Sequence, residues 1–187
     1  MEEKYFLRKI INEYKLLIDN DFVVQEIQKV KAAIEQMKNL NGKLIFSGNG
    51  ASAAIASHGA LDFTKQAKVR SICFSDAAFI TAFSNDYGYD QWVKNAMQFH
   101  LNKNDIGILI SSSGKSKNIT NAAKFLKENN NTIISFSGFE KDNPLNQMGD
   151  LRFWVDSKAY NIIECVHQIW LMMICDLIIG KTEYSVS

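Results

Sequence analysis

Proline is nearly missing from this chain: Pro144 is the single one among 187 residues, and no long stretch is dominated by Pro, Gly or Ser. Polyproline spacers and low-complexity linkers are therefore excluded, and no shift in composition marks a boundary between two units. An excess of one charge is missing too. Lys and Arg number 21 against 20 Asp and Glu, a formal net charge of +1, and the basic residues are scattered. That leaves out the basic stripe of a nucleic-acid-binding surface and the polybasic anchor of a membrane-surface protein. An anionic ligand has to be met by local groups. Cysteine is scarce: Cys73, Cys165 and Cys175 form no C-x-x-C pair. Three free thiols are expected, two of them acting as small hydrophobes in an apolar helix. No uninterrupted apolar run reaches the roughly 18 residues that span a bilayer. Met1-Glu2-Glu3-Lys4 also lacks the basic-then-apolar order of a secretory signal. No membrane partner is expected, and the cytoplasm is the expected compartment.

What is present is apolar side chain in regular patterns. A chain of this length, 47% hydrophobic, can bury one sizeable core and is short for two, so residues 1–187 are read as a single domain. Val23, Ile27, Val30, Ile34 and Met37 form one narrow helical stripe behind an Asn20 or Asp21 start. Phe6, Leu7, Ile10, Ile11, Tyr14, Leu17 and Ile18 form another. Two amphipathic helices within residues 1–40 carry more apolar surface than one small sheet needs, which predicts an N-terminal helical oligomerisation region. Packing onto their own sheet is the alternative. From residue 43 to 187 the pattern changes. Strand-like stretches at 43–46, 69–74, 106–110, 132–136 and 151–155 alternate with helical segments. This predicts an α/β core, a five-stranded parallel sheet with helices on both faces. Near-continuous apolar strands fit a sheet covered on both sides. The segment from Ala159 to Ile179 reads as a core helix that carries Glu164, His167 and Asp176 among apolar neighbours.

Two strand-to-helix loops carry chemistry. Ser47-Gly48-Asn49-Gly50-Ala51-Ser52-Ala53 satisfies G-x-G-x-x-A, and Asp76 follows the next strand. A nicotinamide-binding reading is therefore open, although any tight turn of this kind favours glycine. The third strand runs into Ser111-Ser112-Ser113-Gly114-Lys115-Ser116 and then a helix from Ile119 to Lys127. A helix N-terminus offers unpaired N–H groups and partial positive charge, and clustered hydroxyls add rotatable donors around a phosphate. The bland alternative is a turn in which Ser116 only caps its helix. The loop lacks the glycine spacing of a Walker P-loop.

Gly48-Asn49-Gly50-Ala51-Ser52-Ala53 with His58, Asn85-Asp86-Tyr87-Gly88, the serine loop, and Glu164 to Ile178 together resemble the sugar isomerase (SIS) family, and within it the phosphoheptose isomerases. The resemblance spans about Ile10 to Ile178. It implies a doubly wound sheet of flavodoxin-like order and a homotetramer held by the N- and C-terminal helices, with active sites between subunits. It also implies conversion of sedoheptulose 7-phosphate to glycero-manno-heptose 7-phosphate through an enediol, with no nucleotide cofactor. By resemblance, Ser52, Ser111, Ser112, Ser113 and Ser116 would hold phosphate. Asn49, Gly50, Asn85 and Asp86 would meet the rest of the substrate.

The chain departs from the family at its acid/base residues. The family has His-x-x-x-Glu on the first sheet-covering helix, and a Gln with a His eight residues later on the last helix, a set that binds zinc in some members. Here these positions hold His58, Asp62, Glu164 and Met172. His58, Asp62 and Glu164 are the expected catalytic residues and a candidate zinc set of one nitrogen and two carboxylates. Methionine moves no proton, so a non-catalytic sugar-phosphate-binding or partner-binding protein is the alternative to an isomerase.

Overall fold

The structure, a computed structural model, describes residues 2–183. Two helices come first, α1 (Glu2–Ile18) and α2 (Asp21–Asn39). The turn between them is set by Asn20, whose side-chain oxygen accepts from Phe22 N–H at 3.0 Å and caps α2. α2 buries the stripe expected of it, Val23, Ile27, Val30, Ile34 and Met37, and also Glu26. α1 buries nothing fully: Ile10, Tyr14 and Leu17 touch the core, while Tyr5, Phe6, Leu7, Ile11 and Leu16 face outward.

The remainder alternates strands and helices: β1 (Leu44–Ser47), α3 (Ala51–Lys65), β2 (Ser71–Cys73), α4 (Ala77–Tyr87), α5 (Trp92–Gln98) and β3 (Ile106–Ile110). Then follow α6 (Lys117–Glu128), β4 (Thr132–Ser137), α7 (Pro144–Met148), β5 (Leu151–Trp154) and α8 (Tyr160–Ile179). The five strands are parallel in the order β2-β1-β3-β4-β5. This is the flavodoxin-like order, which differs from that of a dinucleotide-binding Rossmann sheet. Side chains alternate across the sheet as the two-residue strand period requires. Leu44, Phe46, Ile106, Ile108, Ile110, Ile134 and Phe136 enter one core with α2, α3 and α8; Ile45, Leu109 and Ile133 enter the other with α5 and α6. The carboxyl ends of β1 and β3 therefore open side by side, each into a loop and a helix.

Three local features matter. Pro144 opens the short helix α7, at the position where a missing N–H costs nothing. Cys165 on α8 is exposed, so only Cys175 behaves as a core residue there. α8 reaches a mean hydropathy of 1.8 over a membrane-spanning length, although Glu164, His167 and Asp176 interrupt it. Its apolar face meets the core: Ile162, Ile163, Val166, Trp170, Leu171 and Ile174 are buried.

Candidate functional site

The serine loop is fixed from behind. Ser111 N–H donates to the Phe136 carbonyl at 3.0 Å, extending the sheet ladder, and Gly138 N–H donates to the Ser112 carbonyl at 2.8 Å. Leu145 N–H donates to the Gly114 carbonyl at 3.1 Å. Gly114 has φ +63, and a β-carbon there would lie 1.8 Å from Asn143 Oδ1, so both the backbone and the space demand glycine. Asn143 in turn donates to Ser137 Oγ and to the carbonyls of Gly138 and Glu140, and accepts from Asn146 N–H. With its back closed, the loop presents its hydroxyls forward. Ser111 Oγ donates to Ser116 Oγ at 3.1 Å, while Ser113 Oγ accepts from Lys115 N–H. Ser116 stands at the start of α6 but makes no side-chain capping bond, so its hydroxyl belongs to the loop rather than to the helix.

The loop after β1 completes the other wall. Gly50 takes φ +55 to turn the chain into α3, which brings Ser52 to the same cavity as the serine loop. Asn49 and Asn118 exchange amide hydrogen bonds at 2.9 and 2.8 Å, locking the first loop to the first turn of α6. Tyr89 Oη donates to Asn49 Oδ1 at 3.1 Å. The resulting cavity of about 170 Å³ is lined by Asn49, Ser52, Ser111, Ser112, Ser113, Ser116, Tyr160 and Glu164. Hydroxyls, a helix N-terminus and one carboxylate meet there. The first two suit a phosphate dianion, and the third is a proton carrier.

Glu164 is half-buried and accepts from Ser112 Oγ at 3.3 Å. His167, one turn on, is not its partner. That ring is fully buried and bonds through Nε2 to the Ser137 carbonyl at 3.0 Å. Burial pushes its pKa down to about 4, against the smaller opposing effect of that bond. His58 and Asp62 do pair, Nε2 to Oδ2 at 3.1 Å, one turn apart on α3. Asp62 adds to the burial that raises the pKa of Asp176, and to the burial that pushes the Cys175 thiol up to about 12. Half-buried Met172 stands one turn before Asp176. Neither His58 nor Asp62 lines the serine cavity, and neither do Asn85 and Asp86, which bond to each other at the exposed end of α4.

The expected three-residue metal set is thus not assembled within one chain. Zinc takes three or four ligands, whereas His58 and Asp62 supply two and Glu164 lies with the serines. Among the described residues no group of three His, Cys, Asp or Glu side chains is placed to hold a metal. The nicotinamide reading loses its acidic residue. Asp76 caps α4, accepting from Ala78 N–H at 2.8 Å, and the strand order differs from a Rossmann sheet. Four residues that shape the site, Tyr89, Asn118, Asn143 and Tyr160, were not singled out from sequence. Asn118 follows the serine loop directly, a signal that was there to read. The other three act through contacts between distant segments.

Comparison with known proteins agrees with this geometry. Residues 14–138 match the SIS domain model. The phosphoheptose isomerase of Aliarcobacter butzleri is 32% identical over 160 residues, 82% of this chain and 84% of that protein. The Helicobacter pylori phosphoheptose isomerase is 32% identical over 157 residues, 81% of each. Among solved structures, a phosphoheptose isomerase from Francisella tularensis superposes with a TM-score of 0.86 at 24% identity, covering 96% of this chain and 97% of that one. On the match of the SIS domain model to most of the chain and on relatives 32% identical over more than four fifths of it, the chain belongs to the SIS domain family and, within it, to the phosphoheptose isomerases.

Proposed function

We propose that this chain interconverts a ketose and an aldose phosphate, sedoheptulose 7-phosphate and glycero-manno-heptose 7-phosphate, through an enediol. The observation that carries the reading is the meeting of Glu164 with the phosphate-suited serine loop in one cavity. Ser52, Ser111, Ser112, Ser113 and Ser116 with the first turn of α6 hold the phosphate, and Asn49 faces the sugar. Glu164, half-buried and hydrogen-bonded, moves the proton between C1 and C2.

A cavity of about 170 Å³ suits the phosphate end of a heptose phosphate rather than all of it, since whole small-molecule sites run to roughly 300–1,000 Å³. A second copy of the chain is the element that would enlarge it. The outward apolar residues of α1 supply a surface for that contact, and the family resemblance supports a homotetramer with sites between subunits. In such an assembly the His58–Asp62 pair and the Asn85–Asp86 end of α4 would come from a neighbour, with Asp62 as a further proton carrier. Among the described residues of one chain no three ligands come together for zinc, so no step is routed through metal. The cytoplasm, with its phosphorylated sugars, is the proposed compartment.

Met172 favours one other reading, a phosphosugar-binding protein without turnover. Incubation with sedoheptulose 7-phosphate, with and without added zinc, separates the two. Appearance of the aldose phosphate supports the isomerase. Ligand-induced stabilisation with no product in either condition supports the binding protein.

A further inference from the structure

An aldose–ketose isomerase moves two protons, one between carbons and one between oxygens, and Glu164 accounts for the first. The second needs its own carrier. Met172 cannot serve, and within one chain both His58 and Asp62 lie outside the cavity. Of the eight residues that line it, only Glu164, a carboxyl, and Tyr160, a phenol, carry groups of the general acid–base kind; the rest are serines and Asn49. Tyr160 and Glu164 are four residues apart on α8, which places them on one face with β-carbons about 6 Å apart. Their tips can thus address adjacent atoms of one substrate from the same side.

The ring is held by an unusual neighbour. Phe139, the second residue after β4, has φ +56, a conformation that a bulky side chain rarely adopts. Its N–H donates to the Ser157 carbonyl at 3.0 Å, and its ring centroid lies 4.9 Å from that of Tyr160 at 58°. Backbone strain of this kind persists where surrounding structure enforces it, often beside a functional group. Here its result is an aromatic contact that orients a side chain otherwise 57% exposed.

We propose that Tyr160 is the general acid–base residue that serves the substrate oxygens, in the role left open by Met172. The inference rests on the isomerase reading above. Starting from the ketose, the Glu164 carboxylate takes the C1 proton, and the C–H electron pair becomes the C1–C2 double bond. The carbonyl electrons move to O2, which takes the Tyr160 phenol proton, giving the enediol. The phenolate then removes the proton from O1. C1 becomes the carbonyl carbon, the double-bond pair takes the proton of Glu164 at C2, and both side chains return to their starting states.

Tyr160→Phe removes only the hydroxyl from a half-open position, so the variant is expected to fold with an unchanged melting temperature. Turnover of sedoheptulose 7-phosphate by this variant should fall about 100-fold or more, the scale of one general acid, with KM held within about two-fold of the parent. Two readouts separate this from a structural effect. The alkaline limb of the kcat–pH profile should disappear, and deuterium exchange from solvent into the substrate carbon should exceed isomerisation by a larger ratio than in the parent, because the enediol loses its oxygen shuttle. A kcat within about three-fold of the parent, or a lower kcat with both readouts unchanged, overturns the assignment. Failure of the parent protein itself to turn over or exchange would instead sink the isomerase reading, and this assignment with it.

Discussion

The one histidine on the last helix takes no part in the serine cavity. His167 is fully buried, and its folded pKa of about 4 lies below the ordinary value of 6.5. The folded state therefore refuses a proton that the unfolded chain accepts once the pH drops below 6.5. Stability contributed by the neutral ring is present above that value and is lost as the pH falls toward 4, by about 3 kcal/mol in all. Urea denaturation at pH 7 and pH 4.5 should show His167→Gln losing less stability than the parent over that interval; an equal loss in both would contradict this account of the ring. At the same scale, the phosphate loop and Glu164 were legible because each is local. Four serines within six residues follow a strand, and Glu164 is one of two carboxylates that interrupt an apolar helix. The Asn49–Asn118 exchange, the Tyr89 contact and the Phe139–Tyr160 pair were not, because each joins segments whose proximity only the folded sheet creates. Glu164 and His167, one turn apart, take separate partners, a serine for one and a backbone carbonyl for the other.

Among the elements, every strand was read to within a residue or two at each end, the second shrinking most, from 69–74 to Ser71–Cys73 at the sheet edge. Apolar runs bounded by turns leave little freedom there. Less visible was how closely α3 approaches the sheet and α8. A β-carbon at Gly59 would lie 2.7 Å from Leu171 Cδ2 and 2.9 Å from the Phe46 ring. This contact helps hold the helix carrying Ser52 against the one carrying Glu164. Alanine is the better helix former by about 1 kcal/mol, yet overpacking here should cost about 1–3 kcal/mol. Gly59→Ala should therefore be neutral to 2 kcal/mol less stable, by that reckoning about 1 kcal/mol on balance. A clear gain in stability in chemical denaturation would mean that the interface has room to spare.

For the whole molecule, the question is what covers α1. Tyr5, Phe6, Leu7, Ile11 and Leu16 lie outward on a helix with no fully buried residue. The sequence foresaw both this surplus and the alternative that the helices serve only their own sheet; α2 takes the second course and α1 leaves the first open. The double variant Phe6→Glu, Ile11→Glu should sediment as a smaller species than the parent and lose turnover, if a neighbour supplies the His58–Asp62 pair. An unchanged assembly with full activity would remove α1 from the interface. The composition of the complete site depends on that assembly, but the proton chemistry assigned to Glu164 does not. The most direct measurement is NMR of sedoheptulose 7-phosphate incubated with the protein in deuterium oxide, with and without added zinc, beside Glu164→Gln. Deuterium should appear at C1 of the ketose and C2 of the aldose with the parent protein and not with the variant. No carbon-bound deuterium with the parent in either condition, or equal uptake with Glu164→Gln, would contradict it.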